Sequence, residues 1–274
     1  MLNKYKEDMR VLVIYFLLLI SGNVMAQNAI NQLDAMGRKQ GFWTKKDAAG
    51  KLLYQATFKD DKPVGEMKRF HPNGKIKAVL KFIDGSELSD VNLFDEAGRM
   101  IAQGKYSGQN KTGEWSYFQD SKIISTETYL NGQKSGISKR FYKTGELLEE
   151  SNWLNDQLHG VYRSYFQDGK PNLECSYSAG KRNGSFKIWF PNGSPELDAF
   201  YTDDVRDLDW KYFDETEKLR YVLKYKLGEL LNPEVQDSID RQKSDILQLK
   251  DENIPDPEKF IQDPAEYMRL MRIR

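Results

Sequence analysis

One cysteine, Cys175, stands in 274 residues, which excludes an internal disulfide and every multi-cysteine metal site. Cys175 shares strand parity with Leu173 and Tyr177 and has no basic neighbour in its own segment to activate it, so it reads as a small buried apolar side chain. Histidine is nearly as scarce. His71 precedes the Pro72-Asn73-Gly74 turn and His159 stands beside Gly160 in a different part of the chain, so both read as surface turn residues and supply neither a zinc cluster nor a positioned catalytic base. Net charge is absent, with 41 basic against 41 acidic side chains, which removes the electrostatic footprint of a general nucleic-acid binder. Phosphate-cradling glycine motifs are missing too, because the glycines fall at hairpin spacing instead of between a strand and a helix. The densest acidic cluster, Asp203-Asp204 with Asp207 and Asp209, lacks a calcium-loop pattern and reads as an acidic turn. No pair of carboxylates is marked out for glycosidase chemistry, and no cofactor or catalytic residue is implied.

Long hydrophobic runs are confined to the start. Lys4, Lys6 and Arg10 precede the apolar run Val11 to Ile20, and Val24-Met25-Ala26 supplies the small residues of a cleavage site before Gln27. Residues 1 to 26 therefore read as a secretory signal, too short in its apolar part for a comfortable membrane span. No cysteine follows the run, which argues against lipoprotein attachment. The expectation is an exported protein, periplasmic or extracellular, with no stable membrane span after cleavage.

What the chain has in abundance is a repeat. An anchor glycine recurs as Gly41, Gly65, Gly113, Gly136, Gly160 and Gly184, with Ser89 and Leu208 in its place in two copies, at steps of 24 residues and one of 23. Nine residues after most anchors comes a turn glycine, as at Gly50, Gly74, Gly98, Gly145, Gly169 and Gly193, in a setting of polar turn formers. Seventeen residues after the anchor stands an aromatic in every copy: Phe58, Phe82, Tyr106, Tyr129 (displaced by the missing residue), Trp153, Tyr177, Tyr201 and Tyr225. The approach to it alternates, as in Ile76, Ala78, Leu80, Phe82, which is the period of a half-buried strand. Each copy thus reads as one β-hairpin, followed by a looser polar turn to the next. Lone hairpins are marginal in water, so about sixteen strands must pair from copy to copy into one antiparallel sheet.

The order of turn glycine, apolar position, aromatic, Asn-Gly turn and anchor glycine resembles the bacterial MORN-repeat variant of YwqK-type proteins. Copies FYKTGELLEESNWLNDQLHG and YFQDGKPNLECSYSAGKRNG carry the likeness best, over about residues 41 to 231. Departures are Lys46 in place of an aromatic five residues after the first anchor, Ser89 at the third anchor, and Asp120-Ser121 and Thr216-Glu217 where turn glycines belong. The resemblance implies an elongated all-β sheet of about eight tandem hairpins and a role in holding other molecules. Many such relatives are labelled antitoxins, which implies binding and blocking a partner protein.

The expected organisation is a signal over 1–26, a short leader over 27–40, the array over 41–231 and a helical tail over 232–274. In the tail, Val235, Ile239, Ile246 and Leu249 fall near one helical face after Pro233, Pro255 and Pro257 break the pattern, and a second short helix is expected from Pro264. The tail is suited to cover an end of the array or to dock another protein. Aromatic doublets mark the first strands, and alternation puts one member of each on an outer row, taken as Tyr117, Tyr142, Phe166, Phe190 and Tyr212. The functional expectation is a non-enzymatic surface for a partner protein at the cell envelope. The alternatives are an antitoxin-type inhibitor and a carbohydrate or peptidoglycan binder. If the aromatic row at the seventeenth position is core, Trp153→Ala is expected to cost roughly 3 to 5 kcal/mol, read as a fall in the thermal or denaturant midpoint.

Overall fold

The computed structural model describes residues 30–250, so the expected signal peptide and the second tail helix lie outside the described residues. The chain divides into two compact units. The first runs to Leu147 with Asn152–Gln157, the second comprises Leu148–Ser151 and the residues from Leu158 onward. In the first, β1 (Gln32–Leu33), β2 (Lys39–Lys46), β3 (Leu52–Lys59), β4 (Lys62–Phe70), β5 (Ile76–Phe82), β6 (Leu88–Phe94), β7 (Met100–Ser107), β8 (Asn110–Gln119), β9 (Lys122–Leu130) and β10 (Gln133–Phe141) each pair antiparallel with the next. Strand β11 (Leu147–Leu154) contributes residues to both units. In the second, β12 (Gln157–Tyr165), β13 (Pro171–Ser178), β14 (Lys181–Trp189), β15 (Pro195–Thr202), β16 (Val205–Phe213), β17 (Leu219–Lys226) and β18 (Glu229–Leu230) again pair antiparallel in chain order. Helix α1 (Pro233–Lys250) follows. The expected all-β hairpin array with a C-terminal helix is what the protein forms. The expected leader also contributes a strand, since β1 pairs with the start of β2.

The turns reverse one expectation. The polar turn between copies is the tighter of the two. Asp60-Asp61, Asn155-Asp156 and Asp203-Asp204 each place two consecutive residues at positive φ, between 48 and 70°, and span two residues between paired strands, as Lys59↔Lys62 and Thr202↔Val205 show. That is the type I′ geometry whose twist matches the strands, and Asp and Asn tolerate it better than most side chains. The turn-glycine loop is wider, and in three copies it is held by an acidic side chain at its start. Asp47 Oδ1 accepts from the Ala49 and Lys51 amides at 2.9 and 2.8 Å, and Asp95 and Asp214 do the same in their copies. The fourth copy replaces this wide loop with a two-residue turn at Asp120-Ser121, Gln119 pairing directly with Lys122, which accounts for its 23-residue step.

Anchor residues lie opposite their own seventeenth-position aromatics, as Gly41↔Phe58, Gly160↔Tyr177, Gly184↔Tyr201 and Leu208↔Tyr225. Toward the preceding copy the ladder breaks there. Cys175↔Phe186 is followed by Tyr177↔Arg182, so Asn183–Ser185 bulge past Ser176, with Gly184 at φ 116°. Where Ser89 replaces glycine the bulge is gone, and Phe82↔Ser89 and Leu80↔Val91 sit in an unbroken ladder with Ser89 buried. Leu208 keeps both the bulge and a φ of 60°, a left-handed conformation that costs an L-residue about 1 to 2 kcal/mol.

The core is built from two interleaved rows. The seventeenth-position aromatics form one. The other, not foreseen, stands two residues after each anchor: Trp43, Met67, Val91, Trp115, Ser138, Tyr162, Phe186 and Trp210. Three of its large members face small partners on the following strand, Trp43↔Ala56, Tyr162↔Cys175 and Phe186↔Ala199, while Trp210 faces Leu223 and Trp115 faces Glu127. Rings from the two rows then meet edge to face. Trp115 meets Tyr106 at 5.1 Å and 72°, and Trp210 meets Tyr201 at 5.1 Å and 75°. In the first unit Val91, Ala102 and Trp115 form a buried cluster; in the second, Cys175, Phe186, Leu197, Ala199, Tyr201, Trp210, Leu223 and Tyr225 form a larger one, against which Val235 and Ile239 of α1 pack. Trp153 is only half-buried and lies beneath the Lys134 ammonium, whereas Trp115 is fully buried, so the larger truncation loss shifts to Trp115.

Gly104 lies under the Trp115 ring. A methyl group added there would stand 2.4 Å from Trp115 Cδ2. Gly104→Ala is therefore expected to destabilise the protein by about 1 to 3 kcal/mol through overpacking, read as a lower denaturant midpoint at unchanged slope.

Candidate binding surface

The five expected outer aromatics do not share one place. Tyr117 and Tyr212 pack against the core clusters, and Tyr212 stacks on Tyr221 at 4.6 Å. Tyr142, Phe166 and Phe190 open the wide turns, each amide donating across the loop to Glu146, Lys170 or Ser194. The doublets begin at different distances from their anchors, so choosing one member of each mixes two positions. Counted from the anchor, the recurring residue is the fifth: Phe70, Phe94, Phe118 and Phe141 in the first unit, Tyr165, Trp189 and Phe213 in the second. All seven are half-buried, and none belongs to either core cluster or packs against one. Register sets an apolar residue across from most of them, as in Phe70↔Ile76, Phe94↔Met100, Trp189↔Pro195 and Phe213↔Leu219.

A second recurring feature lies on the core face. Two residues before five of the anchors stands a cation, Lys39, Lys111, Lys134, Arg182 or Arg206, and each lies over a seventeenth-position ring at 4.1 to 5.4 Å from its centroid. Pro63, Glu87 and Leu158 occupy this place in the other copies. The column recurs at a fixed distance from the anchor, but it is charged and so leaves no mark on the apolar alternation of the strands.

In the fourth copy the column carries a polar chain. Lys111 Nζ donates to Tyr117 Oη at 2.8 Å, Tyr117 and Tyr129 hydroxyls lie 3.2 Å apart, Tyr129 Oη donates to Glu127 Oε2 at 2.6 Å, and Lys134 Nζ donates to Glu127 Oε1 at 2.6 Å. Glu127 stands between Trp115 and Ser138 in register, where the other copies carry Ala56, Leu80, Gly104, Ser151, Cys175, Ala199 and Leu223, none of them charged. Ser138 Oγ is buried without a hydrogen-bond partner. Burial pulls the Glu127 carboxyl upward, but the hydrogen bonds from Lys134 and Tyr129 outweigh it and hold it below the ordinary value. Burial pushes the Tyr117 hydroxyl up and the Lys111 ammonium down.

The other candidate groups are engaged in holding the fold. His71 Nε2 bonds the Phe94 carbonyl of the next copy at 2.9 Å, and His159 stands exposed in β12 instead of in a turn. Asp204 pairs with Arg182 at 2.8 Å, Asp207 accepts from Thr202 and from the Leu227 amide, and Asp203 accepts from Asn183. Among the described residues no group of three or more His, Cys, Asp or Glu side chains is placed to hold a metal ion. Cys175 is buried, and burial pushes its thiol up to about 11, away from the reactive thiolate. No helix of the described residues is long and apolar enough to cross a membrane.

The Glu127 pairings have a pH signature. A carboxyl held below its unfolded value stabilises the fold above that value and loses the contribution as pH falls through the folded one. The stability advantage of the wild type over Glu127→Gln is expected at neutral pH and should shrink as pH falls below the ordinary glutamate value of 4.5, read from denaturant melts of both proteins across the acid range.

Residues 63–84, 134–155 and 158–179 match the model of the MORN repeat variant, and each match begins two residues before an anchor, in phase with the strand register. No curated protein matches this chain. Among solved structures, an S. aureus TarM mutant in complex with fondaparinux, alpha-GlcNAc-glycerol and UDP is similar at 11% identity over 43% of this chain and 21% of that one, with a TM-score of 0.28. A second TarM structure is similar at 15% identity over 36% of this chain and 19% of that one, with a TM-score of 0.26. The matched part spans about a fifth of those chains, and likeness at that level carries no argument about fold or activity. The second, fifth and sixth hairpins are thus MORN-variant repeats, and the protein is a hairpin-repeat protein throughout its described array.

Proposed function

We propose that the array is a non-enzymatic binding surface for a partner protein, exported to the cell envelope by the leader sequence of residues 1–26. The observation that carries this reading is the fifth-position aromatic row. A ring recurs there in seven of eight copies, stays half-exposed and joins neither core cluster, so the interior does not account for its recurrence. Aromatic side chains are enriched at protein interfaces because they offer large contact area at small entropic cost. Copies two strands apart space these rings by about 10 Å, which suits recognition distributed over many weak contacts. Tyr142, Phe166 and Phe190 stand next in sequence to three of the rings and widen the apolar strip at the wide turns. The carboxylates and cations that could serve chemistry are tied into turns and ring contacts, which favours a holding role over catalysis.

Cross-linking of the full chain in its native envelope, with identification of what is captured, tests the reading. Phe118→Ala and Trp189→Ala are expected to weaken capture of a discrete partner by roughly 30-fold at a true hot spot. Variants that melt like the wild type and capture the same partner equally well would overturn it.

A further inference from the structure

Both ends of the array close with the same device. Strand β17 occupies the place in the last copy that β3 holds in the first, and its outer edge begins to pair as an interior junction does: Tyr225↔Leu230 repeats Phe58↔Pro63, and Lys226↔Glu229 repeats Lys59↔Lys62. Asn232, 24 residues after Leu208, stands where a ninth anchor would be. The chain does not continue as a strand. The Asn232 side chain instead takes the bonds of the missing neighbour: the Lys224 amide donates to its Oδ1 at 2.7 Å, and its Nδ2 donates to the Val222 carbonyl at 2.8 Å. Helix α1 starts on the next residue.

At the other end the edge is β2, and the plug is Asn31. Its amide donates to the Phe42 carbonyl at 2.9 Å, and its side-chain Oδ1 accepts from the Thr44 amide at 2.8 Å. A φ of 62° turns the chain there, a conformation that asparagine tolerates. Counting back one repeat from Gly41, Asn31 occupies the position that Gln55 holds in the first copy, and Gln55 pairs with Lys68 of the next copy, the counterpart of Thr44.

The two plugged edges are complementary. The groups that Asn232 covers on β17 are those that an interior junction would bond to the first strand of a following copy, and the groups that Asn31 covers on β2 are those of such a first strand. An open pair would join head to tail, a contact that does not close on itself and therefore propagates. We propose that Asn31 and Asn232 are end plugs that prevent a second copy of this chain from adding to the array edge to edge.

The test uses the full chain with Asn31→Ala, Asn232→Ala and the double substitution. Sedimentation over a range of concentrations is expected to show growing open-ended assemblies for the double variant, and much less growth for either single variant, because one mating edge stays plugged. Hydrogen exchange in dilute solution gives an independent reading and needs only the single variants, whose changes lie on exposed edges. The Lys224 amide in Asn232→Ala and the Thr44 amide in Asn31→Ala should exchange roughly ten-fold faster or more, while the Leu223 amide, in the ladder with β16, keeps its rate. A double variant whose size does not change with concentration, or Lys224 and Thr44 amides that exchange as slowly without the asparagines, would overturn the proposal.

Discussion

The packing of this array depends on large side chains seated against small residues of the neighbouring strand. Trp115 over Gly104 is the extreme case, with no room for even a methyl group between them. Among the described residues only α1 packs onto the sheet, at the second cluster, so most rings are covered by rings of the adjoining copies. That is possible only if the strand beside it leaves space. The alternation of Trp43 with Ala56 and Phe186 with Ala199 supplies this space, and the edge-to-face contacts of Trp210 with Tyr201 and Tyr225 show the resulting interlock. The cations over the seventeenth-position rings extend the cover, their charged heads lying 4.1 to 4.9 Å from the ring centroids of Phe58, Tyr129 and Tyr201.

Register is then held at the two margins of the sheet. On one margin the tight turns reach back to the preceding copy: Asp61 N bonds the Lys39 carbonyl, Asp156 N that of Lys134, and Asp204 N that of Arg182, each at 2.9 to 3.2 Å. The same aspartates accept from the amides of Lys39, Lys134 and Arg182. On the other margin, Asn73 and Asn192 donate to carbonyls of the following copy. Loss of one ring therefore leaves neighbouring copies still aligned by their turns. The fourth and fifth copies depart from this plan on the core face, where Glu127 and Ser138 replace apolar residues and a chain of charged and hydroxyl groups does the filling. Such a network is stable only while its members remain mutually satisfied, which gives this part of the first unit a pH sensitivity that the apolar clusters lack.

The amino-acid sequence alone determined the hairpin repeat, its 24-residue step, the strand parity of Phe58 through Tyr225 and the helix after Pro233, because these follow from local periodicity and turn chemistry within about one repeat. The tertiary structure decided what depends on register between strands: that Trp115 and its counterparts form a second core row, that Tyr117 and Tyr212 point inward while Phe118 and Phe213 do not join the clusters, and that Asn31 and Asn232 finish the edges. A bulge at an anchor residue slips the pairing with the preceding copy by two residues while keeping each side chain on its face, and its presence turns on a backbone choice that Gly184 and Leu208 make and Ser89 does not.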